Sequence, residues 1–455
     1  MLSFRVTASG CRVRLAAPPR WGAILGLAVG AVSCRPPSTP VPPLLPAAAH
    51  DECALAEDSA GIPDTLTLAL PGGVDPTHAP VPETDAERMV FRQLYETLVR
   101  LDCTGAPRPG LAQAWSASDS GVQWTFTLRA DARFQDGQAL TARDVVASWM
   151  SGDTTLLEGA TVAAPDERTL FLRLRHPSAA PPLWLADPAL AVTRAMPGES
   201  WPAGTGSYAV DSVAGGVVLT PINGRRPILQ LPRLGVGDAR DWLDRGIDIV
   251  VTGDAAALGY AASRDLMARA LPWDRTYLLL APGAAPSVTT AWREGLARDA
   301  VRVEARAAEA PAWWTAFPDC IGPPPTGAPP LRPEGSRFLV AYPREDATAR
   351  SIAERLVALE GAQAGTSARA AALGPAELIG ALAAGQAGGG GWQFVIPFPQ
   401  VVLEPCRAVH GLAARAPWLT LASQIVPLID TRRRVVWRRG AAAFTVDWDG
   451  TLRVR

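Results

Sequence analysis

The strongest constraint on this chain is an ordered run between Asp85 and Val146, where one local signal follows another. Val90, Leu94 and Leu98 recur at four-residue spacing with Met89 beside them, so residues 85–101 are expected to form an amphipathic helix with one face against a core. Gly105, Pro107, Pro109 and Gly110 punctuate the turn that follows. Trp124, Phe126 and Leu128 then alternate with Thr125, Thr127 and Arg129. That period of two puts the three large apolar side chains on one face of a half-buried strand. Asp136-Gly137 supplies a tight turn. Thr141, with Asp144 three residues later, gives a pattern close to a capping box for a second helix.

These residues also carry a family resemblance. Gln93-Leu94-Tyr95-Glu96-Thr97-Leu98-Val99-Arg100 resembles a helix motif of the peptide/nickel-type solute-binding proteins, the family 5 extracellular solute-binding proteins of bacterial ABC importers. Pro109-Gly110-Leu111-Ala112 with Trp115, then Trp124 to Arg129, Phe134, Asp136-Gly137 and Leu140 to Val146, are similar to the segments that follow in that family. Gly204-Thr205-Gly206-Ser207-Tyr208 resembles a further motif, with Ser207 where proline is usual. Gly246-Ile247-Asp248-Ile249-Val250, Ile425-Val426-Pro427-Leu428 and Phe444-Thr445-Val446-Asp447 echo later ones. The likeness covers most of 62–275 and 418–455 and is weaker between.

The resemblance implies an α/β chain with the two-lobed, periplasmic-binding-protein-like fold (type II, large cluster) and mixed sheets. It divides the chain into lobe I at 61–274 and 399–455, and a shortened lobe II at 275–398. Alternating strand-like and helix-like segments agree with an α/β architecture. In lobe II, strands are expected at Arg337 to Ala341 and Trp392 to Ile396, helices at Ala347 to Leu359 and Gly374 to Ala384, and an irregular proline-rich loop at Pro311 to Pro333. Most of the motifs have structural work to do. Trp124, Phe126, Leu128 and Tyr95 are expected in the core, and Gly204 to Tyr208 lacks the spacing of a phosphate-cradling loop.

A length of 455 residues exceeds what one hydrophobic core usually supports, which agrees with two lobes. The net charge of −1 gives no electrostatic argument for nucleic acid. All 43 basic residues are arginine, which removes lysine Schiff-base chemistry. At the N-terminus, Arg5, Arg12, Arg14 and Arg20 precede an apolar run, Trp21 to Val32, that is shorter than the roughly 20 residues of a membrane span. Small residues then lead to Cys34, so residues 1–33 read as a cleaved signal. The junction resembles a lipobox, with Ala31 where leucine is commoner. Cys34 is then the lipidated residue, the alternative being ordinary cleavage with Cys34 incidental. Residues 34–60 form a proline-rich, semi-rigid tether. Export implies an oxidising compartment, and Cys53, Cys103, Cys320 and Cys406 remain to pair. Cys53–Cys103 and Cys320–Cys406 are preferred because each lies within one region; the sequence leaves the other pairings open.

For a ligand cleft, the resemblance singles out Thr77, Glu83, Arg88, Trp149 and Trp392. The tryptophans offer flat apolar walls, and Arg88 offers a planar fork for a carboxylate. The bland readings are core packing for the tryptophans and solvation for the rest. His78 lies in the same loop, but the four histidines show no HxxxH or HxH spacing, so neither metal nor cofactor is expected. Gly388 to Gly391 is a hinge candidate. The family's peptide-binding members hold a peptide amine with an aspartate near the second-lobe crossing strand; Trp392-Gln393-Phe394 has no carboxylate, so that amine site is not carried over.

The function expected is that of a lipid-anchored, monomeric solute-binding protein of an ABC importer, taking a small peptide or other solute to a membrane permease. The alternative is a degenerate relative acting as a surface interaction or sensory lipoprotein, motivated by the shortened second lobe. No GxSxG or HExxH motif and no nucleophile beside a histidine argues for an enzyme.

Overall fold

A computed structural model describes residues 53–55, 63–69, 72–118, 120–152, 154–157, 159–212, 215–222, 226–233, 238–281, 290–301, 304–308, 337–344, 346–361, 367–386, 392–399, 424–440 and 444–454. The signal, Cys34, the tether, the 311–333 loop, Gly388 to Gly391, Cys320 and Cys406 lie outside the described residues.

Helix α1 (Asp85–Leu94) begins at a complete capping box. Thr84 Oγ1 accepts the Glu87 N–H at 3.1 Å, and the Glu87 carboxylate accepts the Thr84 N–H at 3.0 Å. The helix stops at Leu94, short of the expected Leu101, because its last turn is met by another part of the chain. Tyr95 is extended, and the Leu94 carbonyl accepts from Gly206 N at 2.9 Å and from Gln135 Nε2 at 3.1 Å. Only glycine permits that approach: a Cβ on Gly204 or Gly206 would stand 2.1 Å from a carbonyl oxygen of Leu94 or Gln93. The Gly204 to Tyr208 motif is therefore a helix stop. Helix α2 (Ala142–Ser151) carries the expected box between Thr141 and Asp144.

The first lobe is built on a mixed seven-stranded sheet. Its strands are β2 (Thr65–Ala69), β9 (Tyr208–Ser212), β10 (Gly216–Pro221), β11 (Ile228–Pro232), β12 (Ile249–Thr252), β13 (Met267–Ala270) and β20 (Arg434–Trp437), in the order β13-β20-β12-β2-β11-β10-β9. β2 is parallel to both β11 and β12. Asp248 fixes that central junction by accepting the Thr67 N–H at 2.8 Å and its hydroxyl at 2.6 Å.

A separate antiparallel sheet, β5-β6-β8-β7, holds β5 (Ala112–Ala117), β6 (Gln123–Leu128), β7 (Thr161–Ala163) and β8 (Thr169–Arg173). Trp124, Phe126 and Leu128 are buried on one face of β6, as the alternation requires, and each such side chain is worth about 1.5–3 kcal/mol in transfer free energy. A short hairpin pairs β3 (Val99–Leu101) with β4 (Pro107–Pro109). A three-stranded sheet joins distant parts of the chain, with β1 (Ala54–Leu55) on β21 (Phe444–Val446), and β21 on β22 (Leu452–Val454). Beside it, Cys53 and Cys103 form a disulfide with Cα atoms 5.4 Å apart.

The second lobe holds a six-stranded sheet, β15-β19-β14-β18-β16-β17. Its strands are β14 (Arg275–Ala281), β15 (Ala305–Ala307), β16 (Arg337–Pro343), β17 (Ser367–Leu373), β18 (Trp392–Pro399) and β19 (Gln424–Thr431). Ile352, Ala353 and Leu356 of a helix spanning Ala347–Gly361 pack on it with Tyr277, Leu279 and Val340. The expected boundary at 399 does not match this pairing. β19 runs antiparallel to β14 with Leu428 and Ile429 fully buried in the second core, so the return to lobe I falls between Thr431 and Arg434. Among the described residues the backbone thus crosses between the two large sheets at 271–274 and at Arg432-Arg433. Among the described residues no helix is long and apolar enough to cross a membrane.

Candidate functional site

The two large sheets face each other across a cavity of about 710 Å³, within the roughly 300–1,000 Å³ range of ligand sites. Parallel strands β2, β12 and β16 point their carboxyl ends toward it: Gly72 follows β2, Thr252 ends β12 and Pro343 ends β16, and all three line the wall. Crevices beyond the carboxyl ends of parallel strands are where α/β folds bind ligands. Helices begin there as well. Thr84 and Asp85 open α1, Gly253 and Asp254 precede the helix Ala255–Ser263, and Asp346, Ala347 and Thr348 open Ala347–Gly361. Helix N-termini carry positive potential.

The floor is an ion cluster made by residues from both lobes and from the second crossing. Asp85, on α1, receives Arg275 Nη2 on both carboxylate oxygens at 3.0 Å and lies 3.1 Å from Arg433 Nη1. Arg433 also donates to Asp274 at 2.8 Å. Burial alone would raise the Asp85 carboxyl; Arg275, Arg433 and Arg88 outweigh it and hold it far below the usual carboxylate range. The Asp85 charge in turn raises Arg275 well above its ordinary value. The crossings are clamped alongside. Trp273 stacks between Arg306, at 4.5 Å, and Arg432, at 4.6 Å, while Glu304 pairs with Arg432 and with Arg434. Across the cavity, Tyr277 donates to Asp346 at 3.0 Å, and burial followed by the Asp346 charge pushes its phenol upward.

Of the residues singled out from sequence, Glu83 and Arg88 line this cavity. Thr77 does not; its amide and hydroxyl bond Asp75 in a 3-10 turn. Trp149 is only 2% exposed, packed in the core beneath the antiparallel sheet, and its indole donates to the Leu190 carbonyl at 2.8 Å. Trp392 stacks on Phe394 at 5.7 Å and stands at the far end of β18 from Pro397 and Pro399, which do line the wall. His78 contacts Glu87 at 2.9 Å, and that bond raises its pKa. Among the described residues no set of three His, Cys, Asp or Glu is placed to hold a metal ion. Sequence reading missed Asp85, Arg275 and Arg433; the run Arg432-Arg433-Arg434 between apolar strands was the available signal.

Two lobes, a double crossing and a cleft between them define the class, a two-lobed binding-protein fold. Comparison with known proteins narrows it. Residues 106–221 match the profile of the bacterial extracellular solute-binding proteins, family 5, middle region. The periplasmic oligopeptide-binding protein OppA of Escherichia coli K12 is 45% identical over 69 residues, 15% of this chain and 12% of that protein. The nickel-binding periplasmic protein of the same strain is 37% identical over 92 residues, 20% of this chain and 17% of that protein. These sequence matches span under a fifth of either relative.

The fold likeness is broader. NikZ from Campylobacter jejuni, solved with Ni(L-His), superposes with a TM-score of 0.60 at 15% identity, covering 86% of this chain and 98% of that one. The Escherichia coli murein tripeptide binding protein MppA gives 0.55 at 16% identity, covering 82% and 94%. Residues 106–221 are thus similar to the middle region of the family 5 extracellular solute-binding proteins, and the fold is similar to that of these solved two-lobed proteins.

Proposed function

We propose that this protein is an exported, lipid-anchored solute receptor that encloses a small peptide or other small solute between its lobes and presents it to an ABC permease. The observation that carries this reading is the cavity of about 710 Å³ whose wall draws on both sheets and on the Arg432-Arg433 crossing. Such a wall changes shape when the lobes rotate, which is what a receptor needs in order to signal occupancy to a membrane partner. The relatives named above are binding proteins for oligopeptides, nickel and a murein tripeptide, which supports a solute of that size. Anchoring is proposed through Cys34 and the proline-rich segment after it, and the receptor is proposed to act as a monomer.

Thermal melting against pools of peptides, amino-acid derivatives and sugars tests the binding reading. A solute at 100 times its Kd stabilises the folded form by about 2.7 kcal/mol. A pool survey in which nothing shifts the melt favours the non-transport, sensory alternative. Radiolabelled palmitate should label the wild-type chain and not Cys34→Ser; equal labelling of both removes the anchor from the proposal.

A further inference from the structure

The charged groups on the cavity wall are almost all satisfied by one another. Arg275 and Arg433 share Asp85, Arg433 also takes Asp274, and Arg432 pairs with Glu304. Asp346 accepts from Tyr277 and from Ala349 N at 2.9 Å, and Asp254 accepts from Ala256 N at 2.9 Å. Glu83 stands exposed at the rim, 3.6 Å from His78.

Arg88 is the exception. Its Nε lies 3.9 Å from Asp85 Oδ1, beyond hydrogen-bond reach, and that Nε is buried with no acceptor. Both Asp85 oxygens are already taken by shorter bonds, and the nearby Asp449 is held by Arg92 at 2.8 Å. Among the described residues, Arg88 is thus the one arginine on this wall with no hydrogen-bonded acceptor. It projects from the first turn of α1, whose amide dipoles add to its field.

We infer that Arg88 is a specificity-determining residue, receiving a planar carboxylate of the bound solute. The inference rests on the solute-receptor reading and narrows its ligand to carboxylate-bearing molecules. A guanidinium offers two parallel N–H donors to a carboxylate and nothing comparable to an amide or a sugar hydroxyl. The solute's charge would also compensate a cation that the fold leaves over. Arg275 and Arg433 are not available for this role without first displacing Asp85.

Matched probes test this on the full mature chain. Trialanine and trialanine amide, and succinate and succinamide, are titrated calorimetrically against wild type, Arg88→Met and Arg88→Lys, with neutral disaccharides alongside. The expected result is binding of the free acids and not the amides. Affinity should fall roughly ten- to hundredfold in Arg88→Met, and less in Arg88→Lys, which keeps the charge and loses the fork. Unliganded melts of the variants report whether they fold; the acid–amide pairs on wild type need no variant at all. Equal binding of acid and amide, or of disaccharides only, overturns the role of Arg88 and leaves the receptor reading standing. Binding of no probe overturns both.

Discussion

Replacing Asp85 with asparagine keeps the shape of the side chain and removes its charge from beneath two guanidinium groups. In the wild-type fold Asp85 accepts two 3.0 Å contacts from Arg275 and lies 3.1 Å from Arg433. Asparagine leaves Asp274 as the one hydrogen-bonded carboxylate for that pair. Removing one partner from a buried ion pair costs about 3–5 kcal/mol, mostly because the opposite charge stays desolvated and uncompensated. With about 2.1 cal/mol/K of unfolding entropy per residue over Asp51–Arg455, the melting temperature should fall by about 4–6 °C. Calorimetry on Asp85→Asn, Arg275→Met and the double variant measures the coupling directly. The double variant should recover at least 1 kcal/mol relative to the sum of the singles. The sign in pH follows from the depressed carboxyl. The unfolded state binds the proton more readily, so the Asp85 contribution is present above the ordinary carboxylate range and is lost as pH falls through the folded value. Asp85→Asn should therefore lose less stability than wild type between pH 5 and 3. A melt within 1 °C of wild type, or strict additivity in the cycle, refutes the claim that this cluster binds the lobes together.

Other outcomes follow from local geometry. Gly206→Ala should cost more than 3 kcal/mol in denaturant unfolding, since the added methyl meets the Gln93 carbonyl at 2.1 Å. Cys53→Ser with Cys103→Ser opens a link across 50 residues; the chain-entropy relation gives about 4 kcal/mol, measurable as a lower midpoint in urea. Thr141→Ala removes the cap of α2 and should cost about 1 kcal/mol in the same assay, with solute affinity unchanged.

What could be read from sequence was the part set by neighbours in the chain. The Thr141–Asp144 box spans three residues, and the alternation in β6 needs only that one face be buried, so both were legible. The end of α1 was not, because the groups that cap Leu94 come from Gln135 and Gly206, far along the chain. β19 was read as a closing strand of lobe I because its apolar pattern fits either sheet; pairing with β14 decides it. At the site, Arg88 was legible as an arginine near a helix start. Its surplus charge was not, since Arg275 reaches Asp85 across 190 residues. Trp149 shows the same limit. An aromatic residue on an amphipathic helix looks alike whether it faces a cleft or a core, and here the Leu190 carbonyl takes its indole.

The position of β20 sets the order in which the molecule can be completed. It is an inner strand, hydrogen-bonded to β12 on one side and β13 on the other, yet it comes from residues 434–437, and β1 at Ala54 finds its partner at Thr445. A chain made N-terminus first therefore carries an unfinished central sheet until residues 434–437 arrive. The central sheet, and with it the cavity between the sheets, is complete only once residues 434–437 have been added.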